Sequence, residues 1–168
     1  MNPSLVAGAR FPELELPDHN GTTRLLTELT EGDPVVVTFI RGWWCPKEQT
    51  FMRGLVQLQE EAEVAYSRIV TISVDEPEVS AAFRAGLGAR WTFLSDTTRR
   101  YQTALGLLET TDTVHRPFVP TTFTLFPDLR IHRIYNGYWF WGRPTLEDLR
   151  QDLRAVTQEI REDWQVPA

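Results

Sequence analysis

The chain has 168 residues, a length that fits one domain, and its 42% hydrophobic content is enough to form a packed core. Its formal net charge of −6 argues against a nucleic-acid partner, and no apolar run approaches the ~20 residues that span a membrane. The single cysteine excludes an internal disulfide and fits a reducing compartment. No signal peptide is visible, so we expect a cytoplasmic protein without a membrane partner.

The N-terminal part of the chain predicts a hairpin. Phe11, Leu14 and Leu16 form an apolar pattern typical of a short strand, and residues 18–21 (DHNG) have turn chemistry. Residues 22–26 are the expected partner strand, and a short helical turn follows. Residues 35–40 (VVVTFI) then predict a central, buried and parallel strand.

The period of the apolar residues changes after Cys45. Phe51, Leu55, Leu58 and Ala62 recur at helical spacing, which predicts an amphipathic helix. Pro46 is tolerated because it lies in the first turn, where its missing N–H would have no partner. The pattern therefore places Cys45 at or next to the helix N-terminus.

Strands and helices alternate through the middle of the chain. Residues 69–74 and 91–94 predict strands. A helix should begin around Pro77, bury Val79, Ala82 and Phe83, and end at Gly86 or Gly88. Ser95 and Asp96 resemble the cap of another helix, which should end near Gly106 and be followed by a polar loop over residues 109–115.

The C-terminal part predicts a second hairpin and a last helix. Residues 121–126 and 131–135 are strands around the turn 127–130, and four aromatic residues follow at 138–141. Thr145 and Asp148 form an approximate capping box before an apolar stripe of helical spacing. The whole order predicts one α/β domain over residues 1–168, with a central mixed β-sheet flanked by helices and an N-terminal hairpin extension.

Four segments in order resemble the peroxiredoxin branch (AhpC/TSA, redoxin) of the thioredoxin-fold superfamily. They are residues 41–48 (RGWWCPKE), 74–78 (VDEPE), 93–96 (FLSD) and 119–123 (VPTTF). The resemblance implies a thioredoxin-like fold over about residues 8–160. It also implies a thiol-dependent peroxidase in which Cys45 is the nucleophile. A helix N-terminus suits this role because its unpaired N–H groups favour a thiolate.

The sequence departs from the family pattern at several positions. Peroxiredoxins usually carry a proline seven residues before the reactive cysteine and a Thr or Ser three residues before it; here these are Thr38 and Gly42. They also usually carry an arginine where this chain has Pro120. The Val119–Pro120 step resembles the cis-proline of thioredoxins, which lines a groove for a thiol substrate. Thioredoxins in turn place a second cysteine where this chain has Glu48.

The missing arginine and hydroxyl have candidate replacements. Arg41 is either a surface charge or the cation that stabilises the thiolate, and Arg116 and Arg143 are weaker candidates. Thr121 and Thr122, beside Pro120, are candidates for the hydroxyl, although threonine is common in strands.

The remaining candidates lie mostly around Cys45. Trp43 and Trp44 are either core residues or walls of a pocket, and we expect at least one to limit water access. Glu48 is either a favourable charge in the first helical turn or part of a network with an arginine, which a carboxylate so close to a thiolate requires. The three histidines share no ligand spacing, so neither a metal site nor a cofactor is expected. The aromatic residues 138–141 predict core packing or a homodimer contact.

Three functions fit these residues. The first is a one-cysteine peroxidase that reduces hydrogen peroxide or an organic hydroperoxide, with an external thiol of the thioredoxin or glutathione type as reductant. The second is a single-thiol disulfide oxidoreductase, which Pro120 favours. The third is a thioredoxin-fold binding module without catalysis, which the lost signature positions favour.

Overall fold

The computed structural model describes residues 1–137 and 141–163. Its N-terminal hairpin pairs strand β1 (Glu15–Pro17) with strand β2 (Thr23–Leu25), and helix α1 (Leu26–Thr30) follows. Asp18 closes the hairpin turn, since its Oδ1 accepts the backbone N–H groups of Asn20 and Thr22. The N-terminal hairpin and the short helical turn predicted from the sequence are confirmed.

The central sheet is mixed and has five described strands. They are β3 (Val35–Phe39), β4 (Arg68–Ser73), β5 (Thr92–Ser95), β6 (Thr121–Leu125) and β7 (Ile131–Asn136). Their order is β5-β4-β3-β6-β7, in which β3, β4 and β5 are parallel and β6 and β7 are antiparallel. All five residues of β3 are buried, as its apolar composition predicts.

Four further helices connect or follow these strands in the part of the chain that the structure describes. They are α2 (Pro46–Val64), α3 (Pro77–Leu87), α4 (Arg100–Ala104) and α5 (Leu146–Ile160). Both α2 and α3 begin with proline, and Gly88 ends α3 in a left-handed conformation at φ 70°. Thr145 caps α5 in a full capping box with Asp148. None of the described helices combines the length and apolar character that a membrane crossing requires.

The sheet separates two apolar cores because successive strand residues point to opposite faces. Val35, Val37 and Phe39 pack toward the N-terminal segment, α1 and α4. Val36 and Ile40 pack toward α2, α3 and α5. The predicted α/β class, with a mixed sheet flanked by helices on both faces, is therefore confirmed. This packing fixes the end of β3, from which the chain turns into α2.

Two local predictions are wrong. Val79 and Ala82 were expected on the inner face of α3, but both are exposed, and only Phe83 of the three packs against the core. The buried residue of this helix is Ser80, whose hydroxyl lies 3.2 Å from that of Ser95. Helix α4 starts after Arg99 rather than at Asp96, although Asp96 still accepts the Gln102 backbone N–H at 2.7 Å. Trp141 is 76% exposed, whereas the other residues of the aromatic run lie outside the described residues.

Candidate active site

Cys45 lies where the buried strand β3 gives way to helix α2. It is the N-cap residue of α2, and its backbone N–H donates to the Gly42 carbonyl at 3.2 Å. Pro46 is the first helical residue, as predicted. The first-turn N–H groups of a helix lack partners within the helix and favour negative charge nearby. The side chain is 2% exposed, so the thiol is screened from bulk water.

Gly42 is required by the turn that precedes Cys45. Its φ of 141° is a conformation that L side chains rarely adopt. A Cβ at this position would lie 2.6 Å from Trp44 Nε1 and 3.3 Å from an Asp75 carboxylate oxygen. The turn therefore leaves no room for the Thr or Ser that the resemblance places here.

Arg41 brings a buried positive charge to the thiol. Its Nη1 lies 3.9 Å from the Cys45 sulfur, and the residue is 8% exposed. Nη2 donates to Asp112 at 3.1 Å and to Glu109 at 3.5 Å. Its Nε is buried and has no hydrogen-bond partner among the described residues. Arg41 is therefore buried beside the thiol and is not a surface charge. Its Nε–H is a hydrogen-bond donor that remains available to a ligand.

Glu48 has the arginine partner that its position requires. It is completely buried in the first turn of α2, and Arg143 forms a two-pronged ion pair with its carboxylate. Its Oε1 also accepts the Arg41 backbone N–H at 3.3 Å. The paired guanidinium offsets the negative charge that Glu48 places near the thiol.

The two tryptophans take different places around the turn. Trp44 stacks on His115 with ring centroids 3.8 Å apart, and the Arg41 guanidinium carbon lies 5.0 Å from its ring centroid. Trp43 is 49% exposed, and its backbone N–H donates to Asp75 at 3.4 Å. Trp44 is therefore the wall that covers Arg41, while Trp43 borders the outer surface.

The hydroxyls of the threonines that follow Pro120 hydrogen-bond to groups other than the Cys45 thiol. The Thr38 and Thr122 hydroxyls lie 3.0 Å apart on neighbouring strands. The Thr121 hydroxyl reaches the Val119 carbonyl at 3.0 Å and Asn136 Oδ1 at 3.1 Å. The described peptide bonds are all trans, the Val119–Pro120 bond included, so the cis step of thioredoxins is not formed.

Arg116, the other candidate arginine, contributes its backbone near the site. Its carbonyl accepts hydrogen bonds from Arg99 and from Gln102 Nε2, the latter at 2.9 Å. Its own backbone N–H donates to the Asp112 carbonyl at 3.0 Å. Arg116 thus helps to shape the loop that carries Asp112, while Arg41 and Arg143 supply the guanidinium groups described at the site.

Four residues of the site were missed by sequence reasoning. Asp112, Glu109 and His115 lie in a loop that was predicted only as polar, and its two carboxylates were the available signal for a buried cation. The backbone N–H of His115 lowers the pKa of Asp112, which favours the charged partner of Arg41. Asp75 accepts the Trp43 backbone N–H, and burial raises the pKa of its carboxyl group.

The arrangement suits nucleophilic chemistry on a small oxygen-containing substrate. It combines a buried thiol, a helix N-terminus and a guanidinium with an unpaired donor. Within residues 1–137 and 141–163, no three His, Cys, Asp or Glu side chains are grouped so that they could hold a metal ion.

The fold is similar to that of several proteins of known structure. Many solved structures align with this chain, including three that cover most of it. Peroxidoxin BcpB from Mycobacterium tuberculosis is 22% identical, with a TM-score of 0.75 over 92% of this chain and 97% of its own. The yeast mitochondrial 1-Cys peroxiredoxin is 16% identical, with a TM-score of 0.77 over 96% and 83%. Peroxiredoxin 6 of Arenicola marina is 18% identical, with a TM-score of 0.74 over 96% and 80%.

The family assignment comes from the sequence. A search of curated protein sequences returned no match. The model of the AhpC/TSA family matches residues 7–134, which include Cys45, Arg41 and the loop with Glu109 and Asp112. This match covers most of the chain and confirms the resemblance drawn from its four motifs. The chain therefore belongs to the AhpC/TSA family of thiol-dependent peroxidases and oxidoreductases.

Proposed function

We propose that the protein is a one-cysteine thiol peroxidase in which Cys45 is the catalytic nucleophile. The observation that supports this most strongly is the buried Arg41 guanidinium, 3.9 Å from the sulfur and with an unpaired Nε. A buried donor without a partner is costly, and a peroxide oxygen would satisfy it. Arg41 would thereby replace the arginine that the family usually carries where this chain has Pro120.

The first half-reaction consumes the peroxide. The Cys45 thiolate attacks one oxygen of hydrogen peroxide or of a small organic hydroperoxide, and the O–O bond breaks. The sulfur gains that oxygen as a sulfenic acid, while the other oxygen takes a proton and leaves as water or an alcohol. Arg41 stabilises the negative charge that moves from sulfur to the leaving oxygen, which is where a fixed cation contributes most.

The second half-reaction needs thiols from outside the chain, because Cys45 is its only cysteine. One external thiol attacks the sulfenic sulfur, which releases water and forms a mixed disulfide. A second thiol then frees Cys45 and leaves as the disulfide. A glutathione or thioredoxin system is the proposed reductant, because such systems take part in thiol resolution in the yeast mitochondrial 1-Cys peroxiredoxin.

The other residues have supporting roles in this proposal. Pro46 starts α2 directly behind the nucleophile, and Glu48 with Arg143 braces the turn through the Arg41 backbone N–H. Trp44 limits water access to Arg41. Pro120 and Thr121 are assigned to the neighbouring wall in this proposal, because Thr121 begins β6 and pairs with Phe39 at the end of β3. A cytoplasmic location and association into a homodimer remain part of the proposal.

The direct test is intact-mass analysis after addition of one equivalent of peroxide, with Cys45→Ser as the control. We expect the wild-type chain to gain one oxygen atom, and glutathione to convert this product to a mixed disulfide and then to the free thiol. The control should gain nothing at the same dose. A wild-type chain that gains no oxygen, or a control that still consumes peroxide with thiol, would contradict the proposal.

The same mass analysis with oxidised glutathione in place of peroxide separates the disulfide oxidoreductase, the alternative that Pro120 favours. That activity predicts that reduced Cys45 forms a mixed disulfide with oxidised glutathione yet gains no oxygen from peroxide. A non-catalytic binding module predicts neither product. The trans Val119–Pro120 bond gives the oxidoreductase no additional support.

A further inference from the structure

We propose that Asp112 and Glu109 are positioning residues that hold the Arg41 guanidinium against Cys45. This inference rests on the proposed peroxidase function and adds the residues that position its arginine. The two carboxylates do not hydrogen-bond the thiol themselves. Both accept hydrogen bonds from Arg41 Nη2, Asp112 at 3.1 Å and Glu109 at 3.5 Å. Nη1 and Nε are thus left for the sulfur and for a peroxide oxygen.

The carboxylates are themselves fixed before they meet Arg41. The backbone N–H and the hydroxyl of Thr111 each donate to Glu109 Oε1 at 2.7 Å. Asp112 Oδ1 accepts the backbone N–H groups of Val114 and His115 at 3.2 Å and 3.0 Å. Because both groups are held by their own loop, the flexible arginine must adapt to them.

Helix α4 anchors this loop from its other side. Arg99, just before the helix, donates to the carbonyl oxygens of His115, at 3.0 Å, and of Arg116. Gln102 donates to the same Arg116 carbonyl at 2.9 Å. His115 then stacks on Trp44 and lies 3.0 Å from Asp112 Oδ2. A continuous set of contacts therefore runs from α4 through the loop to Arg41.

The charges of the two carboxylates allow an electrostatic role to be distinguished from a positioning role. Two carboxylates beside one guanidinium offset its positive charge, so by charge alone they would disfavour a thiolate at Cys45. Their benefit must come from geometry, since a guanidinium misplaced by about 1 Å can cost about 100-fold in rate. Removing one carboxylate should therefore have different effects on reactions that need the placed guanidinium and on reactions that need only the thiolate.

The test compares two reagents on the same thiol. We would measure second-order rates of Cys45 with hydrogen peroxide and with iodoacetamide, which carries no O–O bond, in wild type, Asp112→Asn and Glu109→Gln. We expect the peroxide rate to fall about 10- to 100-fold in each variant, while the iodoacetamide rate is unchanged or higher. Asp112→Glu, which restores the charge, should recover part of the peroxide rate.

A matched control and the contrary outcomes complete the test. Glu63→Gln breaks an exposed ion pair with Arg90, away from the site, and should leave both rates unchanged. Peroxide rates within about twofold of wild type in Asp112→Asn and Glu109→Gln would overturn the inference. So would a parallel loss of both rates, which indicates general damage to the site. A wild-type rate no greater than that of free cysteine would overturn the proposed function as well.

Discussion

Arg41 shows at the level of one residue how this chain departs from its family. The sequence indicated the residue as a candidate because it lies four positions before Cys45 and the usual arginine position holds Pro120. What it could not provide was the burial of Arg41 or its partners. Asp112 and Glu109 lie 71 and 68 residues further along, and only the packing of their loop brings them to the guanidinium.

Gly42 gives the departure a steric reason. The sequence indicated only that the usual hydroxyl was missing, whereas the structure has a backbone turn at φ 141° with Trp44 against the absent Cβ. A Thr or Ser would have to displace Trp44 from its stack on His115. The position of Trp44 and the absence of a hydroxyl at residue 42 therefore depend on each other.

Asp75 provides a prediction of pH-dependent stability. Burial raises the pKa of its carboxyl group above the ordinary value of 3.8, so the folded state disfavours its charged form. Its contribution to stability is full below that ordinary value and is lost as the pH rises through the raised pKa. Asp75→Asn keeps an acceptor for the Trp43 N–H and should raise the unfolding temperature at neutral pH.

The check is thermal unfolding of the Asp75→Asn variant at neutral pH and below pH 3.8. The gain should shrink toward the acidic end, where the wild-type carboxyl is already neutral. Glu162→Gln removes an exposed carboxylate beyond α5 and is the control, with no such trend. An unfolding temperature that falls at neutral pH, or a gain independent of pH, would show that the charge of Asp75 is not the cause.

Among the elements, α5 shows what an apolar pattern leaves out. Leu149, Leu153 and Val156 of its apolar stripe are buried as expected, whereas Ile160 at its end is exposed. The stripe also gave no sign of Asp152, which is buried. Asp152 accepts hydrogen bonds from Tyr135 at 2.8 Å and Thr124 at 3.2 Å, on β7 and β6. A buried carboxylate is tolerated because the sheet supplies donors, and no spacing rule within one helix contains that information.

Tyr135→Phe tests whether this bond holds α5 on the sheet. Burial raises the pKa of Tyr135 to about 12, so its hydroxyl remains a donor over the ordinary pH range. Its loss removes one hydrogen bond to a buried carboxylate that keeps Thr124 and Arg133 as partners. We expect this to lower the free energy of unfolding by about 1–3 kcal/mol, measured by urea denaturation. Tyr66→Phe, at an exposed tyrosine, should cost much less. Equal costs in the two variants would argue against the bond.

For the whole molecule, the sequence was sufficient for the fold because local patterns and motif order agreed. Each element was predicted from residues that are close together in the sequence. Examples are the β-branched run of β3, the prolines that begin α2 and α3, and the capping box of α5. The site depends instead on contacts between distant segments, such as Glu48 with Arg143 across 95 positions. Such pairings are decided by tertiary packing, and a single sequence carries little trace of them.

The rate at which hydrogen peroxide oxidises Cys45 is the most direct test of the proposed chemistry, and stopped-flow fluorescence from the adjacent Trp43 and Trp44 can follow it. We predict that wild type reacts much faster than free cysteine and that Arg41→Gln is slower by about 100-fold. Arg90→Gln, an exposed arginine paired with Glu63, should match wild type. A wild-type rate equal to that of free cysteine, or an Arg41→Gln rate equal to wild type, would contradict the role of Arg41 at a peroxidatic thiol.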